Sequence, residues 1–144
     1  MAYPTPSAGL VIRYSYLWQH EALKGNEEGV KDRPCAIILA QEIIEGETQV
    51  VVLPVTHEPP SDPNDAVEIP ADTKKRLGLD DQQSWIVLTE ANSFVWPGPD
   101  LRPKQRADDA TDIAYGQLPK ALFNKVRDTF LKYFTTKAAT LTKR

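Results

Sequence analysis

Two short apolar segments constrain the fold of this chain more than any other feature. Residues 33–40 read Arg-Pro-Cys-Ala-Ile-Ile-Leu-Ala, and residues 50–57 read Val-Val-Val-Leu-Pro-Val-Thr-His. Short runs that are rich in β-branched residues and bounded by charged or proline-containing segments are typical of buried strands. We therefore expect two core strands that hold the polar residues at their ends on a rigid scaffold, where binding and catalytic groups are usually placed.

The chain has the size and composition of a single globular domain. Its 144 residues can bury a core without disulfides or metal, and 41% hydrophobic with 26% charged residues is ordinary for such a domain. The apolar runs are too short to cross a bilayer, the N-terminus lacks the pattern of a secretion signal, and a lone cysteine excludes an internal disulfide. We expect one cytoplasmic domain over residues 1–144, outside the membrane, with flexible tails at 1–8 and 136–144.

The charge balance bears on the class of partner. A net charge of -3 argues mildly against a protein coated for non-specific nucleic-acid binding, because such domains usually carry a basic excess. This net charge does not exclude a local basic groove.

Turn residues and periodicity predict a β-rich α+β domain that ends in a helix. Strands are expected at 9–16, 34–42, 48–55, 67–69 and 84–89, and helices at 70–77 and 119–134. The segment 58–65 contains three prolines, which lack the amide proton that a sheet needs, so it is expected to form an exposed loop that could line a groove. The last helix is amphipathic and should pack on a β-barrel.

The order of several motifs resembles the PemK/MazF family of toxins from bacterial toxin–antitoxin pairs. The matching segments are 9–12 (Gly-Leu-Val-Ile), 27–29 (Glu-Glu-Gly), 33–39 (beginning Arg-Pro), 53–56 (Leu-Pro-Val-Thr), 85–96 and the Leu-Pro at 118–119. No single motif is specific, and their order and spacing carry the comparison.

This resemblance implies a small SH3-like β-barrel with the C-terminal helix packed on it. It also implies a homodimer whose shared surface binds single-stranded RNA, and an antitoxin protein that occupies the same surface. The implied activity is endoribonucleolytic cleavage of mRNA without metal or any other cofactor.

Metal-free cleavage of RNA needs a cation for the phosphate charge, a base for the 2′-hydroxyl and an acid for the leaving 5′-oxygen. Arg33 is the candidate cation, because a guanidinium presents several donors in a fixed fork that suits phosphate oxygens. Thr56, which the family pattern places with it, could donate its hydroxyl to the same phosphate. The competing interpretation of Arg33 is a surface salt bridge with Asp32 or a nearby glutamate.

The proton-transfer group stays open among four residues. His20 and His57 have an intrinsic pKa suited to proton transfer near neutrality, and His20 with the following glutamate resembles a pair in the first loop of some family members. Strand alternation predicts that His57 faces away from Thr56 unless the strand has already ended. Glu28 or Glu27 is the alternative base, and Glu27 and His57 are also candidate RNA contacts. For each of the four, the competing interpretation is an exposed loop residue.

Two further observations qualify the resemblance. Trp18, at the edge of the first loop, is the best candidate for stacking on an RNA base. Where some family members carry arginine and aspartate on a later strand, this chain has Val87 and Thr89, which cannot act as a cation or a proton donor. The alternatives are therefore a PemK-like binding or regulatory domain without catalysis, or a CcdB-like poison that acts by contacting gyrase.

Overall fold

The computed structural model describes residues 2–26, 29 and 31–144. Within them the chain forms eight strands and three α-helices, in the order β1 (Leu10–Tyr14), α1 (Gln19–Leu23), β2 (Arg33–Ile44), β3 (Glu47–Thr56), β4 (Ala66–Glu68), α2 (Ala71–Leu77), β5 (Trp85–Val87), β6 (Glu90–Val95), β7 (Ala114–Gln117), α3 (Lys120–Thr135) and β8 (Thr140–Lys143). The expectation of a β-rich α+β protein is confirmed. No helix in the described part of the chain is both long enough and apolar enough to cross a membrane.

The two apolar segments form the β2–β3 hairpin at the centre of the sheet. Cys35 pairs with Pro54, and the antiparallel register continues through Ala36 with Leu53 and Ile37 with Val52. Alternate side chains enter two different cores: Ala36 and Leu53 belong to one, and Cys35, Ile37 and Val52 to the other. Burial on both faces explains why these strands are apolar without interruption rather than alternating.

The sheet is open. Its strand order is β4-β5-β3-β2-β1-β7, and β6 branches from β3 and carries β8. Neighbouring strands are antiparallel apart from β8, which runs parallel to β6. Because β4 and β7 each pair along only one edge within the described residues, the strands do not close into a ring. The predicted barrel is corrected to an open sheet of eight strands.

The C-terminal helix covers one face of this sheet, as expected from its periodicity. Val126 and Phe130 of α3 are buried in the same core as Leu77 of α2 and Leu118, the residue that precedes the Pro119 cap of α3. The opposite core is built from the other faces of β1, β2, β3 and β6, with Leu101 and Ile113 from the long connection between β6 and β7.

The segment 136–144 differs from its prediction as a flexible tail. It contains β8, which pairs with β6 from Thr140 opposite Glu90 to Lys143 opposite Ser93. The following residue, Arg144, has a side chain that is only 4% exposed and lies 3.1 Å from the carboxylate of Asp100. The segment is therefore an integral strand. At the other end, residues 2–8 contain no helix or strand.

Candidate functional site

A broad open groove lies at the end of the sheet where β2 begins and β3 ends, and its volume is 1280 Å³. Its walls come from the first loop with α1, the start of β2, the end of β3 with the proline-rich loop, and the loop after α2. Sites for small molecules usually have volumes of roughly 300–1,000 Å³ and are more enclosed, so this shape suits an extended ligand.

Arg33, at the start of β2, and Thr56, at the end of β3, both line this groove. The pairing of β2 with β3 extends as far as Cys35 opposite Pro54, so Arg33 and Thr56 each lie two positions beyond that last pair. Residues two positions apart on a strand have side chains on the same face, so Arg33 continues the face of Cys35 and Thr56 that of Pro54. The sheet therefore brings together the two residues that the sequence proposed for holding a phosphate.

The guanidinium of Arg33 is held by its neighbours without being neutralised by Asp32. Its central carbon lies 4.9 Å from the ring centre of Trp18, and its Nη1 donates to the carbonyl oxygen of Val55 at 3.4 Å. Its Nε is buried and has no hydrogen-bond partner among the described residues. Asp32 instead contacts Arg13 at 3.8 Å and Arg102 at 3.6 Å.

Trp18 is the centre of an aromatic cluster on the first-loop wall. Its ring meets Tyr16 edge-on at 5.1 Å and lies nearly parallel to the His20 ring at 6.5 Å. Together with the Arg33 contact, these neighbours hold the Trp18 ring in place in the groove lining, and its stacking on an RNA base stays a prediction. His20 itself is exposed on α1 and lines the groove.

Glu90, on β6, fixes the start of α1. Its Oε1 accepts hydrogen bonds from the Tyr16 hydroxyl and the Gln19 amide, both at 3.0 Å. Burial raises the pKa of this carboxyl despite the hydrogen bonds that favour its charged form. The sequence gives no hint of this link, because β6 and the first loop are more than seventy residues apart.

His57 lies on the opposite wall and also lines the groove. Strand β3 ends at Thr56, so the alternation that would send the next side chain to the other face does not apply. The His57 Nε2 is 2.7 Å from Oδ2 of Asp80, in the loop after α2. Asp80 was not identified from the sequence. Its only signal there is its position two residues after Gly78, which ends α2.

Val87 and Thr89 line the same groove, as expected for alternate residues of an extended segment. The hydroxyl of Thr56 accepts a hydrogen bond from the Glu58 amide at 3.1 Å, which fixes the orientation of its oxygen.

Glu27 and Glu28 lie outside the described residues, so their predicted roles stay predictions.

The groove has mixed charge. Its ionisable lining comprises the cations Arg13, Lys31, Arg33 and Lys104, the acids Glu21, Asp32, Glu58, Asp65 and Asp80, and both histidines. Within the described ranges, no three His, Cys, Asp or Glu side chains form a group that could hold a metal ion.

The chain matches no protein-family model and no curated protein.

Proposed function

We propose that this protein binds single-stranded RNA in the groove and cleaves it as a metal-independent, toxin-type endoribonuclease. The observation that carries the proposal is that Arg33 and Thr56 line one groove, each two positions beyond the last residue pair of β2 and β3. The resemblance to PemK/MazF toxins supports the same reading of these residues. It is the sole basis for the SH3-like comparison, the homodimer, the antitoxin partner and the place in a toxin–antitoxin pair.

The chemistry follows from what each side chain can offer. A guanidinium whose Nη1 and aromatic contacts fix its plane can direct the donors of its two terminal nitrogens at phosphate oxygens, whereas its Nε is buried. The Thr56 hydroxyl can add a third donor. Such donors stabilise the extra charge on phosphorus as the 2′-oxygen attacks and the 5′-oxygen leaves. The base stays open at this stage among His20, His57, Glu27 and Glu28.

The first test compares Arg33→Ala with Arg127→Ala. Arg127 is a matched control because its guanidinium also lies over an aromatic ring, 5.3 Å from the centre of Phe123, but on α3 and not in the groove lining. Loss of one set of phosphate donors should lower the cleavage rate by about 100-fold or more in Arg33→Ala. Arg127→Ala removes the same charge and should cleave like the parent protein.

Cleavage is measured on a mixed-sequence single-stranded RNA with a chelator present, together with the all-deoxy oligonucleotide of the same sequence. The RNA should give discrete fragments ending in a 2′,3′-cyclic phosphate, and the DNA should stay intact because it lacks the attacking hydroxyl. Circular dichroism checks that each variant is folded. Full activity in a folded Arg33→Ala protein would contradict the proposed phosphate clamp.

A second candidate function is RNA binding without cleavage, and a specific observation favours it. Val87 and Thr89 line the groove where some family members carry an arginine and an aspartate. Fluorescence anisotropy with the same RNA separates the two functions. Saturable, Arg33-dependent binding by a protein that yields no fragments would favour the binding domain.

A further inference from the structure

A continuous polar chain leads from the buried side of α2 into the groove. The Nζ of Lys74 donates to Oδ1 of Asp80 and to Oγ of Ser84, each at 2.7 Å, and to the carbonyl oxygen of Gln82. The other carboxylate oxygen of Asp80 lies 2.7 Å from Nε2 of His57. Asp80 is thus shared between a lysine beneath the surface and a histidine in the groove.

Burial makes the Lys74 end of this chain rigid. The Lys74 side chain is 5% exposed, and an ammonium group so far from water must keep its hydrogen-bond acceptors. Oδ1 of Asp80 also accepts from the Gln82 amide at 3.2 Å. Donors therefore hold one carboxylate oxygen in place, and this fixes the direction in which the other oxygen points.

The Asp80 carboxyl is stabilised in its charged form. Partial burial acts to raise its pKa, but the hydrogen bonds and positive charges of Lys74 and His57 outweigh that effect and hold the pKa below its ordinary value. An ionised carboxylate can only accept hydrogen bonds. The Nε2 of His57 must then carry the hydrogen of their shared bond, and in a neutral imidazole this leaves the lone pair on Nδ1.

We propose that His57 is the general base of the groove, that Asp80 is the positioning residue that sets its tautomer, and that Lys74 fixes Asp80. This inference rests on the proposed endoribonuclease function and selects one of the candidate bases. His57 directly follows Thr56, so the base stands one residue beyond the phosphate clamp. His20 instead stacks beside Trp18 on the other wall.

The step balances without a further reactant. Nδ1 of His57 takes the proton of the 2′-hydroxyl, the 2′-oxygen forms a bond to phosphorus, and the bond from phosphorus to the 5′-oxygen breaks. The 5′-oxygen takes a proton from solvent, and the imidazolium later returns its proton to solvent. The products are a 2′,3′-cyclic phosphate and a 5′-hydroxyl.

Kinetics on a fluorophore–quencher single-stranded RNA test the roles. His57→Gln should lower kcat by about 100-fold or more, with KM changed by less than about threefold, because the base acts in the chemical step. Asp80→Asn should lower kcat roughly 10–100-fold, as for other residues that orient a histidine, and Asp80→Glu should recover most of the loss. The control Asp128→Asn breaks an exposed ion pair with Arg127 on α3 and should leave kcat unchanged.

The tautomer gives a readout that needs no RNA. In long-range ¹H–¹⁵N spectra recorded at a pH high enough for the imidazole to be neutral, the parent protein should show His57 protonated at Nε2 and bare at Nδ1. Asp80→Asn should shift this signal towards a mixture, because an amide can also donate. His57 bare at Nε2 in the folded parent protein would overturn the positioning role directly, even if the Asp80 variants failed to fold.

The outcomes separate this inference from the function on which it rests. If the parent protein cuts RNA and folded His57→Gln cuts equally well, the base assignment is wrong and the endoribonuclease function stands. If His57→Gln is inactive but Asp80→Asn matches Asp128→Asn, the positioning role is wrong. If the parent protein does not cut RNA at all, the proposed function fails and the base assignment fails with it.

Discussion

The proposed phosphate contact of Arg33 depends on which residues the neighbouring acid, Asp32, pairs with. Asp32 lies within ion-pair distance of Arg13 and Arg102, so two other arginines compensate its charge. Among the described residues Arg33 has no carboxylate partner, and its fixed contacts are the Trp18 ring and the Val55 carbonyl oxygen. In the part of the chain that the structure describes, this groove of mixed charge thus contains an oriented guanidinium that has no carboxylate partner. This local arrangement is why the net charge of the chain says little about the groove.

Asn92 is the residue that fixes the backbone leading to Trp18. Its side chain is fully buried on β6 and makes a two-way bond with Leu17: Oδ1 accepts from the Leu17 amide at 2.9 Å, and Nδ2 donates to the Leu17 carbonyl oxygen at 2.8 Å. Arg144 also donates to Oδ1, at 3.0 Å. Removing this amide would leave both backbone groups of Leu17 buried without a partner.

We therefore expect Asn92→Ala to lower the free energy of unfolding by about 2–4 kcal/mol, because each unsatisfied buried polar group costs about 1–3 kcal/mol. Urea unfolding followed by tryptophan fluorescence measures the change. Asn124→Ala, on the helix surface of α3, is the control and should lie within about 0.5 kcal/mol of the parent protein. Equal stability of the two variants would show that Asn92 does not support the first loop.

Sequence reasoning reached part of the site, and the residues show why it stopped there. Arg33 and Thr56 could be predicted because both lie at the ends of strands with a strong apolar pattern, and the resemblance to PemK/MazF toxins placed Thr56 with Arg33. The roles of Asp80 and Lys74 could not be predicted, because they depend on how α2 and the loop after it pack beside the end of β3. Helical spacing of Lys74 with buried Leu77 was the available signal for a buried lysine.

Among the elements, the long apolar strands and α3 were predicted close to their observed bounds, the short strands β4 and β5 were also predicted, and β6, β7 and β8 were missed. β7 and β8 have four residues each, and β8 reads Thr-Leu-Thr-Lys, so neither has the length or apolar content of a buried strand. Their pairing partners, β1 and β6, decide their structure. The predicted short helix at 70–77 is confirmed as α2.

The end of α2 tests how an element positions a site residue. Gly78 terminates the helix with a φ of 74°, and its amide donates back to the Lys75 carbonyl oxygen at 3.2 Å. A Cβ added at Gly78 would meet no described atom within 4 Å, so a substitution there is opposed by backbone strain alone. Asp80 follows two residues later, and its direction depends on this turn.

We expect Gly78→Ala to destabilise the protein by about 1–2 kcal/mol, the typical penalty for a left-handed residue with a Cβ. Gly78→Asn should lose less, because asparagine tolerates this conformation. Thermal and urea unfolding of both variants measure the difference. If both variants were as stable as the parent protein, the turn would not require a left-handed residue.

At the scale of the whole molecule, the fold is an open sheet with cores on both faces, and β8 is part of that sheet through its pairing with β6. The central strands were predictable because they are apolar on both sides. The pairing of β3 with both β5 and β6 could not be predicted, because it depends on which strand lies beside each half of β3. Residues 49–52 pair with β6, and residues 55–56 pair with β5. The end of β3 lies at the groove, which Thr56 and His57 both line.

The ion pair between Arg144 and Asp100 joins the last strand to the rest of the molecule. The two side chains are 4% and 9% exposed, and the Arg144 guanidinium also bonds to the Ser15 carbonyl oxygen at 2.9 Å. It lies 5.4 Å from the Tyr14 ring centre as well. One side chain therefore connects the end of β8, the connection after β6 and the segment after β1.

Breaking this pair should destabilise the whole fold and not merely loosen its last residues. Asp100→Ala removes the carboxylate that lies 3.1 Å from the buried Arg144 guanidinium, so we expect a loss of about 3 kcal/mol in the free energy of unfolding, near the range for broken buried pairs. Asp128→Ala breaks the exposed pair with Arg127, at 3.0 Å, and should cost less than about 1 kcal/mol. Urea unfolding at neutral pH compares the two variants. A loss in Asp100→Ala no larger than in Asp128→Ala would mean that β8 is held by its pairing with β6 and not by this ion pair.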